Sequence, residues 1–136
     1  MKKLVVIDGQ AGRIGSQIIE QLKGKIADCE IFAIGTNSIA TAGMMKAGAD
    51  MCGTGENSVI VACRDADVIA GPMGILITDA LVGEITSAMS AAIGRSTAKK
   101  ILVPINKCSV FVAGTQNLPL GELIAAAVKE IVSALK

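Results

Sequence analysis

A chain of 136 residues in which 13 Lys and Arg face 12 Asp and Glu carries a formal charge of +1, so no broad electrostatic surface is available for nucleic acid or an acidic membrane. Hydrophobic residues make up 51% and aromatics 1%, which leaves Val, Ile, Leu, Ala and Met to build a single core. That apolar balance in so small a chain also predicts a homo-oligomer, because large bare apolar patches are rare on soluble monomers.

In chain order, residues 4–8 form a short β-branched run ended by Gly9, and Gly12 to Leu22 carries Ile14, Ile18, Ile19 and Leu22 at helical spacing. Glu30 to Gly35 reads as a buried strand, and a helix capped by Ser38 runs through Met44, Met45 and Ala47 to Gly48. Asp50 to Cys52 is a very short strand followed by the loop Gly53-Thr54-Gly55-Glu56. Asn57 to Arg64 contains the strand-favouring Val59-Ile60-Val61, yet its alternation fits a helix better. Then follow a strand at Asp67 to Gly71, a long helical region from Ile75 to Ile93, strands at Lys100 to Ile105 and Val110 to Ala113, and a helix from Pro119 to Leu135. This alternation predicts one α/β domain over 1–136: three layers, with helices on both faces of a doubly wound, mostly parallel sheet of five or six strands.

The longest apolar stretch, Ile69 to Ile77, is broken by Gly71, Pro72 and Gly74 and is far shorter than the ~18–20 residues that cross a bilayer. The N-terminal run leads straight into a strand and a glycine turn rather than a secretory signal. Cys29, Cys52, Cys63 and Cys108 show no C-x-x-C pair and the chain has no histidine, so free thiols are expected and no metal site is. A cytoplasmic protein without membrane or nucleic-acid partners is the expectation.

The informative segment is Gly9-Gln10-Ala11-Gly12-Arg13-Ile14-Gly15, a G-x-x-G-x-x-G placed directly after a buried strand and at the mouth of a helix. Gly9 suits the turn off the strand, Gly12 the approach of a diphosphate and Gly15 the packing of helix on sheet. The free N–H groups and positive end of the helix then favour an anion, which predicts a nucleotide or dinucleotide ligand, NAD or NADP. No G-K-[ST] follows, which excludes a Walker loop. The acidic residue expected at the end of the second strand is absent. Thr36 and Asn37 stand there, able to donate hydrogen bonds or, for Asn37, to cap the next helix. Gly71-Pro72-Met73-Gly74 leaves the fourth strand at the same edge, opposite the glycine turn, with Gly71 and Pro72 as the candidate ligand contacts. Lys107 beside Cys108 offers a thiol whose pKa a neighbouring cation could lower.

The turn, with Ile18, Ile19 and Leu22 behind it, resembles the opening of the extended short-chain dehydrogenases, a likeness confined to about the first twenty residues. It implies cofactor binding without that family's activity, since a chain lacking tyrosine has no Tyr-x-x-x-Lys pair. Over its whole length the chain more closely resembles a family of short bacterial proteins, a domain of unknown function with a Rossmann-like fold. That likeness rests on Gly35-Thr36-Asn37-Ser38-Ile39-Ala40-Thr41, Asp65 through Gly74, Gly83-Glu84-Ile85-Thr86 and Pro104-Ile105-Asn106-Lys107-Cys108. A third resemblance, carried by Asp67 to Gly71, Gly83 to Met89 and Ala98 to Pro104, is to nucleoside deoxyribosyltransferases and related N-glycosidases. It implies Glu84 as the residue that attacks or stabilises the sugar carbon, although the Gly-Thr preceding that family's glutamate is missing. Three functions therefore compete: a stand-alone nucleotide-binding protein, an N-glycosidase-like enzyme using Glu84, and a structural protein without ligand.

Overall fold

The computed structural model describes residues 1–105 and 109–136. Five strands, β1 (Lys2–Asp8), β2 (Cys29–Gly35), β3 (Met51–Thr54), β4 (Val68–Pro72) and β5 (Lys99–Val103), lie in the order β3-β2-β1-β4-β5. Every pairing is parallel. The helices are α1 (Arg13–Leu22), α2 (Ser38–Ala47), α3 (Glu56–Cys63), α4 (Ser87–Arg95) and α5 (Leu120–Ala134). This is the three-layer Rossmann-like arrangement expected, with five strands, all parallel, among the described residues.

The alternation along β1 shows why two layers of helices are needed. Leu4 and Val6 face a core made with Ile18, Ile19 and Leu22 of α1, Met44 of α2 and Ile124, Val128 and Ile131 of α5. Val5 and Ile7 face a second core made with Val59 of α3, Met89 and Ile93 of α4, and Ile75 and Ile85. A strand buried on both faces is the mark of a central strand in a parallel sheet.

The ambiguous segment is helical from Asn57 to Cys63, as the alternation indicated, and Val59, Ala62 and Cys63 supply its buried side. Of the two residues able to cap helix α2, Asn37 rather than Ser38 does so: Asn37 accepts the Ala40 N–H at 2.9 Å, and Gly48 closes the other end at φ 119°.

Two expected elements are corrected. The region 75–93 is not one helix: a short 3₁₀ turn (Met73–Leu76) is followed by a loop, and α4 starts only after Thr86, whose hydroxyl accepts the Met89 N–H at 3.2 Å. Asp79, Leu81 and Val82 adopt φ of 67°, 58° and 58°, which no right-handed helix admits. Burial of Ala80 and Ile85 in the second core holds the loop there against local helix propensity. The strand at 110–113 is also absent. Thr115 instead donates to the Val112 carbonyl in a turn, Phe111 is 65% exposed, and the sheet ends at β5.

Among the described residues, no helix is long and apolar enough to cross a membrane.

Candidate functional site

The chain returns from β3 to β4 across the sheet, so β1 and β4 are the neighbours at which the strand order reverses. Ligands of open parallel sheets sit at that crevice, outside the carboxyl ends of the strands. A cavity of about 380 Å³ lies there, bounded by Asp8 and Gly9 through Ile14 on the β1 side, Pro72, Gly74, Ile77 and Leu81 on the β4 side, and Ile105 and Leu120. Its size is at the lower end of the ~300–1,000 Å³ typical of small-ligand sites.

Of the residues singled out in the sequence, Gly9, Gln10, Ala11, Gly12, Arg13, Ile14 and Pro72 border this cavity. Gly71 is buried within β4, and Gly15 lies behind the wall, donating its N–H to Asp8. Thr36 and Asn37 belong to a separate cluster around Glu84. Lys107 and Cys108 fall outside the described residues. Gly74, expected opposite the turn with Pro72, borders the cavity as well, whereas Asp8, Ile77, Leu81, Ile105 and Leu120 were not anticipated. Only Asp8 left a signal in the sequence, as a carboxylate closing an otherwise apolar strand immediately before the glycine turn.

The glycine turn is shaped mainly by the protein's own groups. Gly12 has φ 70°, and a side chain there would meet the Ala40 backbone at 2.9 Å, so the glycine is needed for the close approach of α1 to α2. A β-carbon on Gly15 would meet Met44 Sδ at 2.5 Å, and one on Gly9 would meet Thr36, Leu81 and Glu84 at 2.6–2.8 Å.

Two carboxylates occupy much of the amide cradle. Asp8 accepts the N–H groups of Gly9 and Gly15, both at 2.8 Å, placing negative charge beneath the start of α1, a helix with no side-chain cap. Burial pushes the Asp8 carboxyl above its ordinary 3.8, against the lowering pull of the Gly15, Gly9 and Ile14 amides, and the charge of Glu84 adds to the rise. Glu84 Oε1 accepts from Thr36 Oγ1 at 2.6 Å, Asn37 Nδ2 at 2.8 Å and the Gln10 N–H at 3.0 Å. Its desolvation acts upward, but those three donors outweigh it and hold the carboxyl below its ordinary 4.5. Gly12 donates to the Gly9 carbonyl at 2.9 Å. Among the described residues, the N–H groups of Ala11 and Arg13 make no hydrogen bond within the chain.

A pH dependence follows. Glu84 titrates lower in the folded than in the unfolded chain, so its stabilisation is complete above pH 4.5 and drains away as pH falls through the depressed native value. Glu84→Gln is expected to lose no more than about 1 kcal/mol at pH 7, because solvent screens much of the charge. Its urea midpoint should converge with that of the parent protein below pH 4.5. Parallel midpoints from pH 7 to pH 3 would remove ionisation as the source of the difference.

Burial disfavours the thiolate at each of the described cysteines. Burial pushes Cys63 up to about 11 and raises Cys29 and Cys52 as well.

Residues 3–136 match a family described as a domain of unknown function (DUF3842). A search of curated protein sequences returns no match. Among solved structures, the FMN-dependent cysteine decarboxylase TvaF of thioviridamide biosynthesis is similar at a TM-score of 0.53 and 11% identity, over 96% of this chain and 86% of that one. A dodecameric FMN-dependent UbiX-like decarboxylase from Escherichia coli O157:H7 is similar at a TM-score of 0.51 and 14% identity, over 98% and 93%. At these identities the likeness establishes the fold. It corrects two expectations: the neighbours are flavin-dependent decarboxylases rather than short-chain dehydrogenases, and their cofactor is FMN, which overturns the assignment of NAD or NADP.

Proposed function

Starting from a chain that belongs to the DUF3842 family, a domain of unknown function, we propose that its role is to bind a small nucleotide-type ligand, of the flavin mononucleotide kind, in the cavity between the ends of β1 and β4. The observation that carries this reading is the pairing of unlike walls in one cavity. On one side the open Ala11 and Arg13 amides stand at the positive end of α1 with the exposed Arg13 beside them; on the other are Ile77, Leu81, Ile105 and Leu120.

A flavin mononucleotide fits both walls. Its phosphate would be held by the Ala11 and Arg13 amides and the Arg13 guanidinium, and its ring would lie against the apolar residues. A bound flavin would supply electron-transfer chemistry, while the chain itself supplies binding, orientation and the exclusion of water. Self-association belongs to the same proposal. It is supported by exposed Ile39, Met45 and Met51 near the β3 edge, by exposed Phe111, Leu118 and Leu120, and by the dodecameric neighbour.

Titration calorimetry with FMN, riboflavin and AMP tests the reading. FMN is expected to bind, and Arg13→Ala to weaken it at least about tenfold, or about 1.4 kcal/mol, while riboflavin, which lacks the phosphate, changes little. Absence of any mononucleotide binding would favour the second reading, a structural protein without ligand. That reading draws support from the way Asp8 and Glu84 already satisfy the amides of Gly9, Gly15 and Gln10.

A further inference from the structure

We propose that Glu84 is a selectivity element that closes the β2 side of the crevice, so that the site accepts mononucleotides and rejects dinucleotides. The inference rests on the ligand reading above and specifies its substrate class.

A dinucleotide bound at the carboxyl edge of such a sheet extends from the first glycine turn toward the end of the second strand, where its second nucleoside is read. In this protein that path holds a carboxylate. Glu84 Oε1 lies 2.6 Å from Thr36 Oγ1 and 2.8 Å from Asn37 Nδ2 at the end of β2, and 3.0 Å from the Gln10 N–H on the turn. It therefore spans the gap that the second half of a dinucleotide would cross. The space is also filled: a β-carbon on Gly9 would meet Thr36, Leu81 and Glu84 within 2.8 Å.

Charge reinforces bulk. The three donors satisfy the ionised carboxylate, so a second phosphate would meet a fixed negative charge and would have to displace it from all three. The loop that delivers Glu84 is strained to do so. Leu81 and Val82 sit at φ 58°, a conformation that bulky and β-branched side chains avoid, and fully buried Ile85 pins the chain immediately after Glu84. Strain held by tertiary contacts beside a cavity places this one carboxylate against the turn.

The experiment compares FMN with FAD, the same flavin with a second phosphate and nucleoside, on the parent protein, Glu84→Gln and Glu84→Ala, by titration calorimetry. FAD is expected to bind the parent about thirtyfold more weakly than FMN. Glu84→Ala should bring the two within about threefold, and Glu84→Gln, which keeps the bulk and removes the charge, should fall between. Hydrogen exchange at the Gln10 amide, protected in the parent, should quicken in Glu84→Ala and report loss of the contact without any ligand. An FMN-to-FAD ratio unmoved by both substitutions, with FMN still binding, overturns the selectivity role alone. Failure of both flavins to bind all three proteins overturns the ligand reading and the selectivity role with it.

Discussion

Gly71→Ala is expected to prevent stable folding, or to remove more than about 4 kcal/mol from a domain whose whole stability is about 5–15 kcal/mol. Gly71 lies inside β4 at φ 155°, and a β-carbon there would be driven into the backbone carbonyl oxygen of Ile7. Both partners are main chain of adjacent central strands, so neither can rotate away. Relief would require the β1–β4 pairing to part at the floor of the cavity. Urea denaturation followed by circular dichroism measures the effect; a midpoint within 0.5 M of the parent, roughly 1 kcal/mol for a small domain, would show that this register tolerates a side chain.

Gly12→Val should destabilise by about 3 kcal/mol or more, and for a structural reason that precedes any ligand. A β-branched residue at φ 70° is strained in itself, and its β-carbon would press on Ala40 of α2 at 2.9 Å. The substitution would thus unseat α1 from α2, and lost ligand binding in it would report misfolding. Gly83→Ala is the matched comparison. Gly83 also has positive φ, 86°, but open space where the β-carbon would go, so only the backbone preference is at stake and about 1 kcal/mol should be lost. Equal losses in the two variants would argue that helix contact at Gly12 contributes nothing.

Arg13→Ala remains the informative substitution for binding, because Arg13 is exposed, borders the cavity and takes no part in the core.

Much of the frame was legible because local and tertiary preferences agreed. The β-branched runs became the central strands, and the apolar spacing of Ile18, Ile19 and Leu22 became the buried face of α1. Loop 77–86 was not legible. Nothing in Thr78 through Ile85 marks left-handed backbone at a leucine and a valine; burial of Ala80 and Ile85 imposes it. The segment 110–113 carried strand-forming residues but no place in the sheet, and Phe111 remained outside.

The candidate site divides in the same way. By itself the sequence determined the strand–turn–helix around Gly9 to Gly15, and with it where an anion-favouring helix start would lie, because those features depend on neighbours along the chain. Tertiary structure alone decided which amides stay open. Asp8 reaches Gly15 seven positions away and Glu84 reaches Gln10 across 74 positions. A carboxylate brought from so distant a loop leaves no periodicity or spacing to read: hydrogen bonds between remote segments are chosen by the packing that brings them together.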